Sequence, residues 1–307
     1  MFGKYELGNI IRGYRQQKNV SQADLCRGIC SPSHLSRIEH GEAEAPLLLA
    51  QTLLERLGVG LDRLVLLLEE GDYKLYQQRR EIIQAIRAGR AGMAGRALAA
   101  YEEAAGNDKL ENQYVKYCKA KLWRLHMQDS SLSWERRERL AQEAEQLLEE
   151  AAALTIPGEG WNMLLGRTEI GILLAQTEGI SLKKLKYIQH FVKSYYSKGW
   201  VEEYYPKIQL KYAAALAGKG KCRKALAEIE EGLAVIKAGK SYCYCADLYF
   251  LSVQLLERLG KGTVQAKEQE ELARRCQQAY SLYTLDGNPK AWEVERHMQR
   301  YKEKWKV

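Results

Sequence analysis

The chain is predicted to be all-helical, a small N-terminal module followed by a long array of helical hairpins, and three observations predict it. Only five prolines interrupt 307 residues, and the good helix formers Ala, Leu, Glu, Lys, Arg and Gln dominate. Apolar side chains recur at helical spacing, with no strand-like alternation and no βαβ pattern. Beyond residue 72, amphipathic segments alternate with short glycine-containing turns. Paired segments begin near 73, 109, 161, 202 and 242, a spacing of 36 to 52 residues that marks a helical solenoid.

The elements follow in order. A first helix spans 5–17, with Leu7, Ile10, Ile11 and Tyr14 facing inward. The stretch SQADLCRGICSPSHLSRIE, residues 21–39, carries two helix-start signals in succession. Ser21 is an N-cap, and Ser31 is a second one with Pro32 at the first helical position. Leu25, Cys26 and Ile29 face the core from the first short helix, Leu35 and Ile38 from the second. Ser33, His34, Ser36 and Arg37 are left on the outer face of that second helix. A fourth helix opens at Pro46 and ends near Gly58, and a fifth covers 61–68. Gly71-Asp72 marks a break, which places a domain boundary between 1–70 and 72–307. The remaining helices are expected at 73–88, 91–105, 109–127, 134–154, 161–177, 182–198, 202–217, 221–237, 242–259, 264–284 and 289–305. The first ten make five hairpins. The last, with Trp292, Met298, Tyr301 and Trp305, caps the open end.

The segment GICSPSHLSRIEHG followed by Pro46 resembles the helix-turn-helix of the Cro/repressor class. It is similar, more narrowly, to the version at the N-terminus of the peptide-sensing quorum regulators of Gram-positive bacteria, the PlcR, PrgX and Rgg group. The turn is one residue shorter than in phage repressors, and Cys30 stands where many of those have glycine. Ala97, Tyr101 and Ala104, and again Ala225, Ile229 and Gly232, resemble the small–large–small spacing in the second helix of a tetratricopeptide repeat. Tyr212, Ala213 and Leu216 resemble the preceding first helix. The resemblance implies a right-handed tetratricopeptide-like solenoid of about five hairpins plus a C-terminal capping helix. It also implies a homodimer on an inverted-repeat operator in double-stranded DNA, and a short linear signalling peptide in the concave face of the repeats.

Charge is unevenly spread. Residues 1–70 net −1, with eight bases and nine acids, and six of those bases lie within residues 1–40. The rest of the chain nets +9, so the formal total of +8 comes from outside the head. The excess is densest between 182 and 212, which favours a ligand bearing a carboxylate.

Direct readout of base edges needs donors and acceptors on an exposed helix face. Arg37 offers a bidentate fork to guanine, with Ser33 and His34 near the helix N-terminus. Ser36, Gln22, Arg15 and Lys18 suit phosphates. Glu39 is assigned to holding the domain together, because a carboxylate facing phosphates is repelled. In the repeats, first helices line the groove. Asn112, Lys116, Asn162, Tyr205, Gln209 and Tyr242 are the candidate peptide contacts, the amides because each offers a donor pair and an acceptor to a peptide backbone.

No nucleotide-binding loop, HExxH, GxSxG or metal-spaced His/Cys set occurs, so neither an enzyme, a cofactor nor a metal site is expected. Seven cysteines, irregularly spaced, fit a reducing compartment, with Cys243 and Cys245 open to a redox role. No apolar run reaches about 18 residues, and residues 1–9 lack a signal-peptide core, so a cytoplasmic location is expected. Two alternatives stay open: a helix-turn-helix regulator whose repeats bind a protein, and a repeat scaffold or adaptor that does not bind DNA.

Overall fold

The structure, a computed structural model, describes residues 4–60, 70–158, 163–176, 180–239, 242–259, 266–288 and 290–305. Among them are fifteen helices and no strand. The chain divides into two compact units, residues 1–180 and 181–307.

The first unit holds α1 (Lys4–Gln17), α2 (Gln22–Cys26), α3 (Pro32–Glu39), α4 (Leu47–Arg56), α5 (Glu70–Arg87), α6 (Ala91–Ala104), α7 (Lys109–His126), α8 (Trp134–Thr155) and α9 (Arg167–Ala175). The predicted caps form. Ser21 Oγ accepts from Asp24 N at 3.0 Å and Ser31 Oγ from His34 N at 3.1 Å, each satisfying a donor that the helix leaves open. Leu25, Leu35, Ile38, Leu53, Leu54 and Leu57 close a small core with Ile11 of α1. α1 crosses α3 so tightly that a Cβ on Gly8 would lie 1.9 Å from the Ile38 carbonyl oxygen, so only glycine fits there. Behind the head, α5 pairs with α6 and α7 with α8.

The second unit holds α10 (Leu182–Tyr195), α11 (Lys198–Gly218), α12 (Cys222–Gly239), α13 (Cys245–Leu259), α14 (Ala266–Leu285) and α15 (Ala291–Trp305). Each packs on the next. One apolar cluster runs from Ala213 through Ile229, Leu248 and Tyr283 to Val294 of α15.

Several expectations need correction. The helix expected at 61–68 lies outside the described residues. Gly71 and Asp72 are not a break: α5 starts at Glu70 and runs through them. Acids in a first turn suit the positive end of the helix dipole. The helix expected at 161–177 is only Arg167–Ala175, because Gly166 takes the N-cap position and Glu169 reaches back to its backbone N–H at 2.7 Å. This short helix packs on α4, α7 and α8, and it and α10, expected as one hairpin, fall in different units. α11 begins four residues earlier than expected, since Trp200 is buried and stacks edge-on against Tyr196 at 4.9 Å. In the capping helix Val294 is the buried anchor, whereas Trp292 stands in solvent under Arg296 at 4.4 Å.

Candidate functional site

The outer face of α3 is where the first candidate site lies. Ser33 and Arg37 are exposed, and His34 and Ser36 are half-buried. Leu35 and Ile38, on the opposite face, are buried, so the helix cannot rotate without exposing them. Among the described residues the Arg37 guanidinium makes no ion pair or side-chain hydrogen bond, and its five donors stay available to an incoming ligand.

Two residues assigned to phosphates are engaged within the head instead. Arg15 clamps Glu39 with both arms of its fork, at 2.6 and 2.7 Å, and gives its third nitrogen to the Val20 carbonyl at 3.0 Å. Gln22 Nε2 donates to the same carboxylate at 2.8 Å. Glu39 is only 1% exposed. Burial pushes its pKa up, but the hydrogen bonds from Arg15 and Gln22 outweigh that and hold it below the ordinary carboxylate value. The bracket ties α1, α2 and the end of α3 into one geometry, so Arg15 and Gln22 position the outer face of α3. Lys18 is half-buried, and burial lowers its pKa.

Beneath the head lies a polar network that sequence reasoning did not assemble. Arg56, at the end of α4, and Glu169 of α9 form an ion pair with both side chains at 0% exposure. Arg56 Nε and Nη2 donate to the carboxylate at 3.1 and 2.6 Å, and Nη1 donates to the carbonyls of Leu25 at 2.9 Å and Arg27 at 2.7 Å. Thr155 Oγ1 adds a third donor to Glu169 at 2.8 Å. Glu55 accepts from the Arg167 backbone N–H at 2.8 Å, and burial raises its pKa. The turn after α2 is held from two further sides. Lys109 Nζ donates to the Gly28 carbonyl at 2.6 Å, and a Cβ on Gly28 would meet the Thr155 carbonyl oxygen at 2.1 Å. Farther back, Arg79 bonds Gln51 at 2.9 Å and Tyr101 at 3.1 Å, and Tyr101 in turn donates to Glu111.

Of the candidate peptide contacts, Asn112 and Lys116 belong to the first unit and Tyr205, Gln209 and Tyr242 to the second. Asn112 is half-buried on α7, its Nδ2 3.4 Å from the Asn107 carbonyl. Lys116 is tied to Glu150 of α8. Asn162 lies outside the described residues. Tyr205 and Gln209, one turn apart on α11, are both fully buried, which corrects their placement on an open groove. Gln209 Nε2 reaches Tyr205 Oη at 3.1 Å and Glu228 at 3.0 Å, and its Oε1 accepts from Gln189 at 2.9 Å. This is an internal network joining α10, α11 and α12. Burial lifts the Tyr205 phenol to about 12. Gly166 and Glu169 form the cap of α9, and Glu169 also forms its ion pair with Arg56. Tyr242 is 68% exposed and stands at the rim of a cavity of about 350 Å³ in the second unit, lined also by Leu233, Ile236, Cys245, Tyr249 and Leu282. Cys243 is exposed and Cys245 buried, and burial raises the Cys245 thiol to about 11.

Residues 11–64 match the helix-turn-helix family. No curated protein matches the chain. Along nearly its whole length the chain is similar in fold to PlcR of Bacillus thuringiensis, crystallised with the peptide PapR7 and DNA. Identity is 16%, 96% of this chain and 98% of that chain are covered, and the TM-score is 0.51. It also aligns with the apo form of the competence regulator ComR of Streptococcus vestibularis, at 16% identity over 98% of both chains with a TM-score of 0.47. ComR of S. thermophilus, in complex with DNA and its signalling peptide ComS, aligns at 15% identity over 96% of this chain and 99% of that one, with a TM-score of 0.43. The shared fold is an N-terminal helix-turn-helix followed by paired helical hairpins.

Within the helix-turn-helix, the two helix-start signals were enough to find α2 and α3. The Arg56–Glu169 pair is separated by 113 residues and has no local signature. Its single trace in the sequence is a charged Glu55-Arg56 inside the run LLERL, where an apolar face would not otherwise carry two charges.

Proposed function

We propose that this protein is a sequence-specific DNA-binding transcriptional regulator controlled by a short signalling peptide, in which residues 1–70 read DNA and residues 72–307 bind the peptide and support a dimer. The observation that carries the first half is α3: its inner face is locked in the head's core, and its outer face presents Ser33, His34, Ser36 and an uncommitted Arg37. Such a helix enters a major groove by its N-terminal end and reads base edges with these side chains. One head covers a half-site, so a twofold dimer on an inverted repeat follows from symmetry. Support for the peptide comes from the fold likeness to PlcR, whose crystal holds a peptide and DNA. In this chain Asn112, Asn162 and the Tyr242 cavity remain the candidate peptide contacts. No helix among the described residues is long and apolar enough to cross a membrane, which agrees with action on DNA in the cytoplasm.

The test is selection of bound fragments from genomic DNA by the full-length protein, followed by titration of wild type and Arg37→Ala on the enriched site. An enriched palindrome is expected, with affinity falling by about 1–3 kcal/mol in the variant if Arg37 makes a bidentate base contact. No enriched site, or unchanged affinity in Arg37→Ala, would overturn the reading.

A further inference from the structure

The second unit carries a basic surface that the helix-turn-helix does not account for. α10 contains no acidic residue, and its Lys183 and Lys186 are exposed. α12 is led by Lys221 and opens with Arg223 and Lys224, all exposed, with no acid in its first turn. Side-chain contacts fix how the two helices run. Gln189 Nε2 donates to Glu228 at 2.8 Å, and one turn on Lys193 pairs with Glu231. The helices are therefore parallel, offset by 38 to 39 residues. Followed toward their N-termini, the same register sets Lys186 level with Lys224 and Lys183 level with Lys221. Both helix N-termini lie at this end together with the C-terminus of α11, whose opposite partial charge offsets one of them, so the five cations carry most of the positive charge. The nearest acids along α12 are already engaged: Glu228 holds Gln189 and Gln209, Glu230 pairs with Arg275, and Glu231 pairs with Lys193.

We propose that this end of α10 and α12 binds the sugar–phosphate backbone of duplex DNA and adds sequence-independent affinity to that of the head. The inference rests on the DNA-binding reading and extends it to a second surface. Two observations favour DNA over an acidic protein. Protein interfaces bury an apolar or aromatic centre, and among the described residues of this unit none of the exposed large apolar side chains (Tyr242, Leu259, Leu285, Trp292) belongs to α10 or the start of α12. The head nets −1 over residues 1–70 and only +3 over residues 1–40, so its own electrostatic term is modest and a second cluster of cations adds to it.

The experiment measures binding of the full-length protein to its selected operator in a long duplex, and to a non-operator duplex of equal length, between about 50 and 200 mM salt. Three proteins are compared: wild type, a quadruple variant (Lys183→Gln, Lys186→Gln, Lys221→Gln, Lys224→Gln), and a control that loses the same charge from other exposed positions (Lys74→Gln, Arg96→Gln, Arg139→Gln, Arg258→Gln). Each lost phosphate contact lowers the slope of log K against log salt by about 0.9, so the quadruple variant should be shallower by about 3 to 4 on both duplexes while the control stays near wild type. Equal slopes in wild type and quadruple variant, with operator binding intact, would overturn this proposal alone. An equal fall in the control would also overturn it, by assigning the effect to net charge. Loss of binding to a polyglutamate peptide in the quadruple variant, with unchanged DNA slopes, would give the surface to an acidic protein instead. A wild type that binds neither duplex would remove the DNA-binding reading itself.

Discussion

Arg56→Met should loosen the head from the hairpins behind it. The arginine donates four hydrogen bonds from a site at 0% exposure, two to Glu169 and one each to the carbonyls of Leu25 and Arg27. Methionine fills most of the same volume but donates none of them. It leaves a buried carboxylate with only Thr155 and the Gly166 backbone as donors. Removing one member of a buried pair costs about 3–5 kcal/mol, because the remaining charge stays desolvated. Against a total stability of about 5–15 kcal/mol this is a large fraction. With a urea dependence of about 2–3 kcal/mol per M, the midpoint should fall by about 1–2.5 M. The double variant Arg56→Met/Glu169→Met removes the orphan charge and should cost clearly less than the sum of the two single changes. Urea unfolding by circular dichroism reads the magnitude. Hydrogen exchange of residues 22–30 and 163–175 reads the location, and protection should drop in both segments of the single variant. A midpoint shift below about 0.3 M, or additive single and double variants, would refute the view that this pair ties the head to α9.

Three further outcomes follow from the same geometry. Gly28 has φ +77° and a Cβ there would lie 2.1 Å from the Thr155 carbonyl oxygen, so Gly28→Ala should cost more than about 2 kcal/mol in urea unfolding. Glu39 is held below the ordinary carboxylate value in the fold, so its stabilising contribution is complete above about pH 4.3, the unfolded value, and fades as pH falls through the lower folded value. Glu39→Gln should therefore lose stability at neutral pH and show a smaller acid-induced decline than wild type; since Glu55 and Glu111 titrate with the opposite sign, the difference between variant and wild type is the quantity to follow. Gln209→Leu should lower stability by about 1–3 kcal/mol through the stranded partners of its amide, and leave the affinity for any peptide unchanged, as expected of an internal network rather than a groove.

Local chemistry was legible in the sequence; long-range partnership was not. Ser21, Ser31 and Pro32 announce α2 and α3, because capping acts within three residues. Leu35 and Ile38 mark the buried face of α3 by their spacing, and Ser33 and Arg37 fall on the outer one. The same periodicity says which face of α11 turns inward only if the neighbours are known. Gln209 is polar and was read as facing a groove, yet Gln189, Glu228 and Tyr205 satisfy it inside the unit. Arg15 likewise has the composition of a phosphate contact, and only the position of Glu39, 24 residues away, reveals what it holds. The start of α9 lies later than the predicted 161 for a related reason. Its start is set by Glu169 capping Gly166 in a buried site, a tertiary preference that outweighs the helical pattern upstream.

The central claim is that peptide occupancy and operator affinity are linked. The direct measurement is a closed cycle on the full-length protein. Operator affinity is determined with and without a saturating synthetic peptide of about five to ten residues, taken from small open reading frames beside the gene, and peptide affinity with and without saturating operator. Linkage requires both affinities to change by the same factor, expected at about 5–150-fold. A peptide that binds the protein while leaving operator affinity unchanged would contradict the account.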